Sequence, residues 1–136
     1  MKLNPYLTFN GQCKEAMEFY AKALRGQIVM MMKNSDLAPG DQMPGVKPDL
    51  IMHARIMMGD QVLMASDATA DCQVDTKGMM VSTVVETPEE AERIYGELSA
   101  GGQITMPMAE TFWAHRFGMF TDRFGIPWMV NCEKSM

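Results

Sequence analysis

Apolar residues recur along this chain with two periods. Alternating runs at residues 3–9, 27–33, 49–58 and 61–66 predict strands, because side chains of an extended chain point to opposite faces in turn. Between the first two runs, Cys13, Ala16, Met17, Tyr20, Ala23 and Leu24 fall on one face of a 3.6-residue period and predict a helix over residues 12–24. Gly26 suits the left-handed position just past its end. Gly59-Asp60 reads as the two-residue turn of a tight hairpin. The second half repeats the order. A strand over 78–86 leads into Thr87-Pro88-Glu89-Glu90, a capping box with Pro at the first helical position, and Ala91, Ile94, Tyr95 and Leu98 form the apolar stripe of the helix it starts. That helix stops before Gly101-Gly102. Gly102-Gln103-Ile104 echoes Gly26-Gln27-Ile28 and opens another strand, and a hairpin over 110–131, turning at Asp122-Arg123-Phe124-Gly125, ends the pattern. Each half reads β-α-β-β-β. The class is α+β, a single domain over 1–136 built of two modules, at about 1–68 and about 77–136.

Two stretches lie outside this pattern. Residues 34–48 hold three Pro and two Gly with no periodicity, a long loop expected to act as a lid or to be mobile beside the ligand site. Residues 67–77 are polar and small, a linker on composition.

Composition narrows the function. With 136 residues the chain can bury roughly two-thirds of its unfolded surface, enough for a real core. A net charge of −5 leaves no basic stripe for phosphates, so no nucleic-acid partner is expected. No apolar run approaches the about 20 residues of a membrane span and no secretory signal opens the chain, which predicts no membrane partner and a cytoplasmic location. Cys13, Cys72 and Cys132 are scattered, without the spacing of a disulfide framework or a zinc knuckle. Of the 17 Met residues, those at strand or helix periodicity, such as Met17, Met30, Met32, Met64 and Met129, are expected chiefly to fill the core; thioethers also suit an adaptable pocket.

The terminal hairpin carries most of the chemistry. It contains Glu110-Thr-Phe-Trp-Ala-His115, followed by Asp122-x-Phe124-Gly125-x-Pro127-Trp128-x-x-Asn131, and alternation sends Trp113, His115 and Phe117 to one face and Phe112, Ala114 and Arg116 to the other. This stretch resembles the hallmark of the PhnB-like family. The likeness runs from Pro5-Tyr6-Leu7-x-Phe9-x-Gly11 through His53-Ala54 and Met64-Ala65-Ser66-Asp67 to the hairpin. The duplicated unit is similar to the vicinal-oxygen-chelate superfamily of glyoxalase I, bleomycin-resistance proteins and extradiol dioxygenases. The resemblance implies that the two βαβββ modules form a glyoxalase/bleomycin-resistance-like curved sheet of half-barrels, with helices outside and the ligand on the concave side.

Glyoxalase-type members of that superfamily hold a divalent metal with four His or Glu side chains on the first and last strands of the two halves. Here those places fall near Pro5, Met64, Met80 and Met129, none of which offers the oxygen or imidazole such a metal takes, so no metal and no other cofactor is expected. Another metal site could draw on His53, His115, Glu110 and Asp67, but the histidines lack H-x-H or H-x-x-x-H spacing, and hydrogen-bonded pocket or core histidines are the plainer reading. In a pocket, His53 and His115 would be the first candidates for general acid or base. Glu110 reads either as a general base or ligand group, or as an exposed acid at a strand start. Phe112, Trp113, Phe117 and Trp128 could stack on a flat ligand, with Asn131 and Asp67 as polar contacts; aromatic residues at strand spacing also belong to cores. Arg55 and Arg116 could clamp an anion or be solvated or ion-paired. The family's branch is often labelled 3-demethylubiquinone-9 3-methyltransferase-like, yet no glycine-rich strand-to-helix turn for a methyl donor occurs. The expected function is therefore metal-free binding of a small molecule. The alternative is a lyase, isomerase or transferase of the same superfamily using His53, His115 and Glu110. A homodimer is expected, with loop 34–48 reaching across through Leu37, Met43 and Val46.

Overall fold

A computed structural model of the chain describes residues 1–72 and 74–135, and Gln73 of the expected linker lies outside them. Contacts group the chain into two units, Met1–Val74 and Asp75–Met136.

The first unit runs β1 (Tyr6–Phe9), α1 (Cys13–Ala23), β2 (Gln27–Lys33), β3 (Ile51–Met58) and β4 (Gln61–Asp67). Its sheet has the order β1-β4-β3-β2, with β1 parallel to β4 and the other pairs antiparallel. The apolar stripe of α1 does what its period predicts: Cys13, Ala16, Met17, Tyr20 and Ala23 are buried against Leu7, Phe9, Ala54, Ile56, Leu63 and Ala65 of the sheet. By alternation Tyr6, His53, Arg55 and Met64 face the other way, and none of them is buried. Several methionines share that fate. Met17 is in the core, but Met30 is exposed and Met32, Met64 and, in the second unit, Met129 are half-buried, so core filling is the wrong reading for these four.

The second unit repeats the plan as β5 (Val81–Val84), α2 (Pro88–Ser99), β6 (Gln103–Ala109), β7 (Ala114–Thr121) and β8 (Pro127–Glu133), with sheet order β5-β8-β7-β6. Thr87 caps α2 by accepting from the Glu90 N–H at 3.2 Å, with Pro88 behind it. Ala91, Ile94 and Leu98 are buried, and Tyr95 packs edge-on against Phe120 with ring centroids 5.5 Å apart. Trp128, Val130 and Cys132 complete this core.

Three local expectations change. The left-handed residue after α1 is Arg25, at φ 53, and not Gly26. Gly26 is small for another reason: a Cβ there would lie 2.6 Å from the Ile56 side chain and 3.0 Å from the Met57 carbonyl. Gly102 stands at the same place in the second unit, and its Cβ would lie 2.2 Å from the Thr121 carbonyl oxygen. The echo of Gly-Gln-Ile thus marks the point in each unit where the backbone passes close against the neighbouring strand. Second, strands begin later than their apolar runs, β1 at Tyr6 and β5 at Val81. Third, residues 110–113 belong to the turn between β6 and β7 and not to the hairpin strand, which starts at Ala114.

Candidate functional site

The two carboxylates in the most distinctive motifs are structural. Asp122 is 3% exposed; its Oδ1 accepts from the Phe124 and Ile126 N–H groups at 2.8 and 3.0 Å and its Oδ2 from the Trp128 indole Nε1 at 2.8 Å. The run from Asp122 to Trp128 is therefore a self-capped turn, with Gly125 at φ 89. Trp128 is fully buried in the α2-side core, so it offers no stacking face to a ligand. Asp67 behaves alike. Its Oδ1 accepts from Gly11 N at 3.1 Å and Cys13 N at 2.9 Å, and its Oδ2 from Ile51 N at 3.1 Å, tying the start of α1 and the start of β3 to the end of β4. It also pushes the buried Cys13 thiol up, after burial itself, to about 12.

Loop 34–48 opens on a 3-10 turn, Asn34–Asp36, and is pinned from within. The buried Asn34 side chain donates to the carbonyls of Met43 and Val46 at 3.3 Å and accepts from Met43 N at 3.0 Å. The loop does adjoin a cavity, of about 350 Å³, bounded by Gly45, Val46, Lys47 and Leu50 on one side and Asn10 and the Asp67–Ala70 stretch on the other. Of the two acids that line it, Asp49 and Asp67, Asp67 is already engaged by backbone N–H groups, and neither histidine lines it.

The titratable and aromatic candidates stand elsewhere. In the first unit His53 Nδ1 lies 3.1 Å from the Tyr6 hydroxyl, with the rings tilted at 5.7 Å. Two residues along the same face, Arg55 Nη2 points at the Met64 sulfur at 3.7 Å, and its Nε is buried with no partner. In the second unit the 110–113 turn is closed by Thr111, whose Oγ1 accepts from Ala114 N at 3.0 Å. Phe112, 86% exposed, meets Trp113 edge-on at 4.8 Å, and Trp113 meets Phe117 at 5.2 Å. Arg116 reaches α2, where its Nε donates to Glu92 at 2.7 Å, so Arg116 is ion-paired; the strict alternation read over 112–117 is broken, because Phe112 and Trp113 lie in the turn and a register shift falls between Ala114 and Arg116. His115 is exposed. Glu110 pairs with Lys134 at 2.9 Å; that hydrogen bond, then the Lys134 charge, hold its carboxyl below the ordinary carboxylate value, with His115 and Arg116 adding to the effect. Ion-paired and ionised, Glu110 is a weaker proton acceptor than a free carboxylate would be. Asn131 is 9% exposed; its Nδ2 donates to Glu133, and its Oδ1 is buried without a partner.

The metal positions expected at Pro5, Met64, Met80 and Met129 are refined by the strand register. Met64 pairs with Tyr6 and Met129 with Ser82, so the outer-strand neighbours are Tyr6 and Ser82 in place of Pro5 and Met80. Among the described residues, no three His, Cys, Asp or Glu side chains gather as a metal would require. The Tyr6 partnership and the unpaired Arg55 were the features hardest to foresee, because they depend on cross-strand register.

Two βαβββ units of this kind define a protein of the glyoxalase/bleomycin-resistance fold. A more distant solved structure, a glyoxylase/bleomycin resistance protein/dioxygenase domain from Frankia sp. EAN1pec, shares it at a TM-score of 0.65 and 15% identity, over 98% of both chains, which speaks for fold alone. The chain belongs to the family described as 3-demethylubiquinone-9 3-methyltransferase, whose model matches residues 1–131. Among relatives, it is similar to protein PA1353 from Pseudomonas aeruginosa, at 44% identity, a TM-score of 0.91 and coverage of 99% of both chains. It is 34% identical to protein YjdN from Escherichia coli K12, over 98% of this chain and 97% of that one. A Bacillus cereus structure described as a putative 3-demethylubiquinone-9 3-methyltransferase, PhnB protein, matches at 25% identity and a TM-score of 0.77, over 97% of this chain and 99% of that one.

Proposed function

We propose that the protein binds a small organic molecule, without a metal ion, against the sheet faces turned away from its helices. The observation that carries this reading is the placement of unpartnered groups. Arg55 Nε and Asn131 Oδ1 are the buried side-chain polar atoms lacking a partner among the described residues, and each lies on the helix-free face of its own unit. A buried polar group left unpaired costs roughly 1–3 kcal/mol, which a bound ligand would recover. Half-buried Met64 beside Arg55, Met32 beside His53 and Met129 beside Asn131 add adaptable apolar surface. Metal-free binding is favoured by the side chains paired across the first and last strands of each unit, Tyr6 with Met64 and Ser82 with Met129. Thermal shift against a metabolite and antibiotic panel tests the proposal. A binder at a hundredfold excess over its Kd adds about 2.7 kcal/mol, raising Tm by roughly 10 °C. A panel in which no compound moves Tm, with the face dry and filled in a crystal structure, would refute it.

The Tyr6–His53 contact favours a second reading, proton-transfer chemistry at His53 in a superfamily enzyme. Metal analysis of protein purified without chelator, followed by turnover assays on any panel hit, separates the two; stoichiometric Zn, Mn, Ni or Fe would favour the enzyme.

Assembly belongs to the same reading. Edge strands β2 and β6 expose Ile28, Val29, Met30, Ile104 and Met106, and a homodimer would cover such edges. Light scattering at micromolar concentration should give the mass of two chains. The three free cysteines fit a reducing, cytoplasmic setting, and among the described residues no helix is long and apolar enough to cross a membrane.

A further inference from the structure

Arg55 differs from Arg93, Arg116 and Arg123 in what holds it. Arg93 is held by Glu90 and Glu97, Arg116 by Glu92, and the Arg123 Nε donates to the Ala100 carbonyl. Arg55 forms no ion pair among the described residues although the chain carries 17 acids; its Nε is buried and unpartnered, and its Nη2 has a thioether, a weak acceptor, at 3.7 Å. Burying a guanidinium N–H without an oxygen acceptor is unfavourable, a cost that a Met or Leu here would avoid.

Its neighbours suggest what completes it. Register places Met30, Arg55, Met64 and Tyr6 in one row across β2, β3, β4 and β1. His53 follows on the same face of β3, next to Met32, and Tyr6 reaches it diagonally at 3.1 Å. In the tautomer that accepts from the Tyr6 hydroxyl at Nδ1, the imidazole carries its proton on Nε2 and offers a second donor beside the guanidinium fork. The row therefore offers N–H donors in the planar geometry that matches two oxygens, bordered by thioethers that take an apolar body.

We infer that Arg55 anchors an oxyanion, a carboxylate or a phosphoryl-type group, carried by a small molecule with an apolar body, and that His53 assists as its second donor. The inference deepens the proposed function by naming a ligand class for the first unit's face. The experiment uses benzoate, phenylphosphonate and neutral benzamide as probes, titrated by calorimetry into the full chain and into Arg55→Met and Arg55→Lys. The wild-type protein should prefer the anions over benzamide by about tenfold or more. Arg55→Met should abolish that preference, while Arg55→Lys should restore part of it. The ratio of phenylphosphonate to benzoate affinity separates a phosphoryl from a carboxylate site. Benzamide binding as tightly as the anions, or a preference that survives Arg55→Met, would overturn the anchor and leave small-molecule binding standing. Binding of none of the three would also overturn it, while the wider panel decides the broader proposal separately. Should Arg55→Met not fold, methyl-labelled methionine spectra of the wild-type chain serve instead. The Met64 signal, assigned with Met64→Leu, should move on titration with inorganic phosphate, and a Met64 signal that stays fixed while phenylphosphonate binds would be decisive against Arg55.

Discussion

Replacing Asp122 by Asn probes how the terminal hairpin is held. The wild-type carboxylate serves the backbone N–H groups of Phe124 and Ile126 with one oxygen and the Trp128 indole with the other, in a site only 3% exposed. An Asn side chain has one acceptor oxygen and one NH₂. With the oxygen kept on the backbone side, the NH₂ confronts the Trp128 N–H, donor against donor; the flipped amide abandons two backbone N–H groups and is worse. Leaving the buried indole unpaired costs about 1–3 kcal/mol, and losing charge assistance on the two remaining bonds adds roughly 1 kcal/mol, so Asp122→Asn should destabilise by about 2–4 kcal/mol. Trp128→Phe removes the opposing donor, so Asp122→Asn should cost less in that background, with a coupling of about 1–3 kcal/mol. Urea unfolding followed by circular dichroism measures all four proteins, and the indole N–H signal of Trp128 reports the bond directly with Trp113 as reference. Strictly additive costs, or an Asp122→Asn protein within about 0.5 kcal/mol of wild type, would refute the account.

Gly102→Ala should cost about 2–4 kcal/mol in urea unfolding, since its Cβ would sit 2.2 Å from a backbone carbonyl that no rotamer can move. Gly125→Ala, at φ 89 with open space around it, should cost only about 1–2 kcal/mol of backbone strain, and equal penalties at the two sites would contradict this distinction. Asp67→Ala leaves the N–H groups of Gly11, Cys13 and Ile51 without their acceptor and should lower stability by about 3 kcal/mol or more; calorimetric melting checks it. The Cys13 thiol, raised from an ordinary 9.0 to about 12, keeps its proton in the folded chain after the unfolded chain has lost its own. Stability from this group is therefore intact below about pH 9 and falls as pH rises toward 12, by at most about 1.4 kcal/mol per pH unit, and Cys13→Ala should flatten that slope in alkaline denaturation curves. At pH 8 a thiol reagent should label exposed Cys72 quickly and leave Cys13 and Cys132 until the protein opens.

The order of elements was legible in the chain because it rests on short-range physics. The strand at Gln27–Lys33 follows its apolar run to the residue, Thr87 and Pro88 start α2 where the capping pattern says, and Gly59 takes the positive φ its turn requires. The repetition of Gly-Gln-Ile also marks true structural equivalents, Gly26 and Gly102. What each polar side chain does was decided only in three dimensions. Asp67 is bound by groups 54 and 56 residues before it and 16 before it, so its pairing has no local signature, whereas Asp122 is bound within its own turn and only the burial of the Trp128 indole is decided by the fold. Alternation sorts a strand's residues into two faces but does not say which face meets the helix. That choice sent Trp128 into the core and left Met64 and Met129 outside it. Register across strands then placed Tyr6 beside His53 and left Arg55 with only a sulfur, an arrangement that arises when separate strands pair and that no single stretch of sequence encodes.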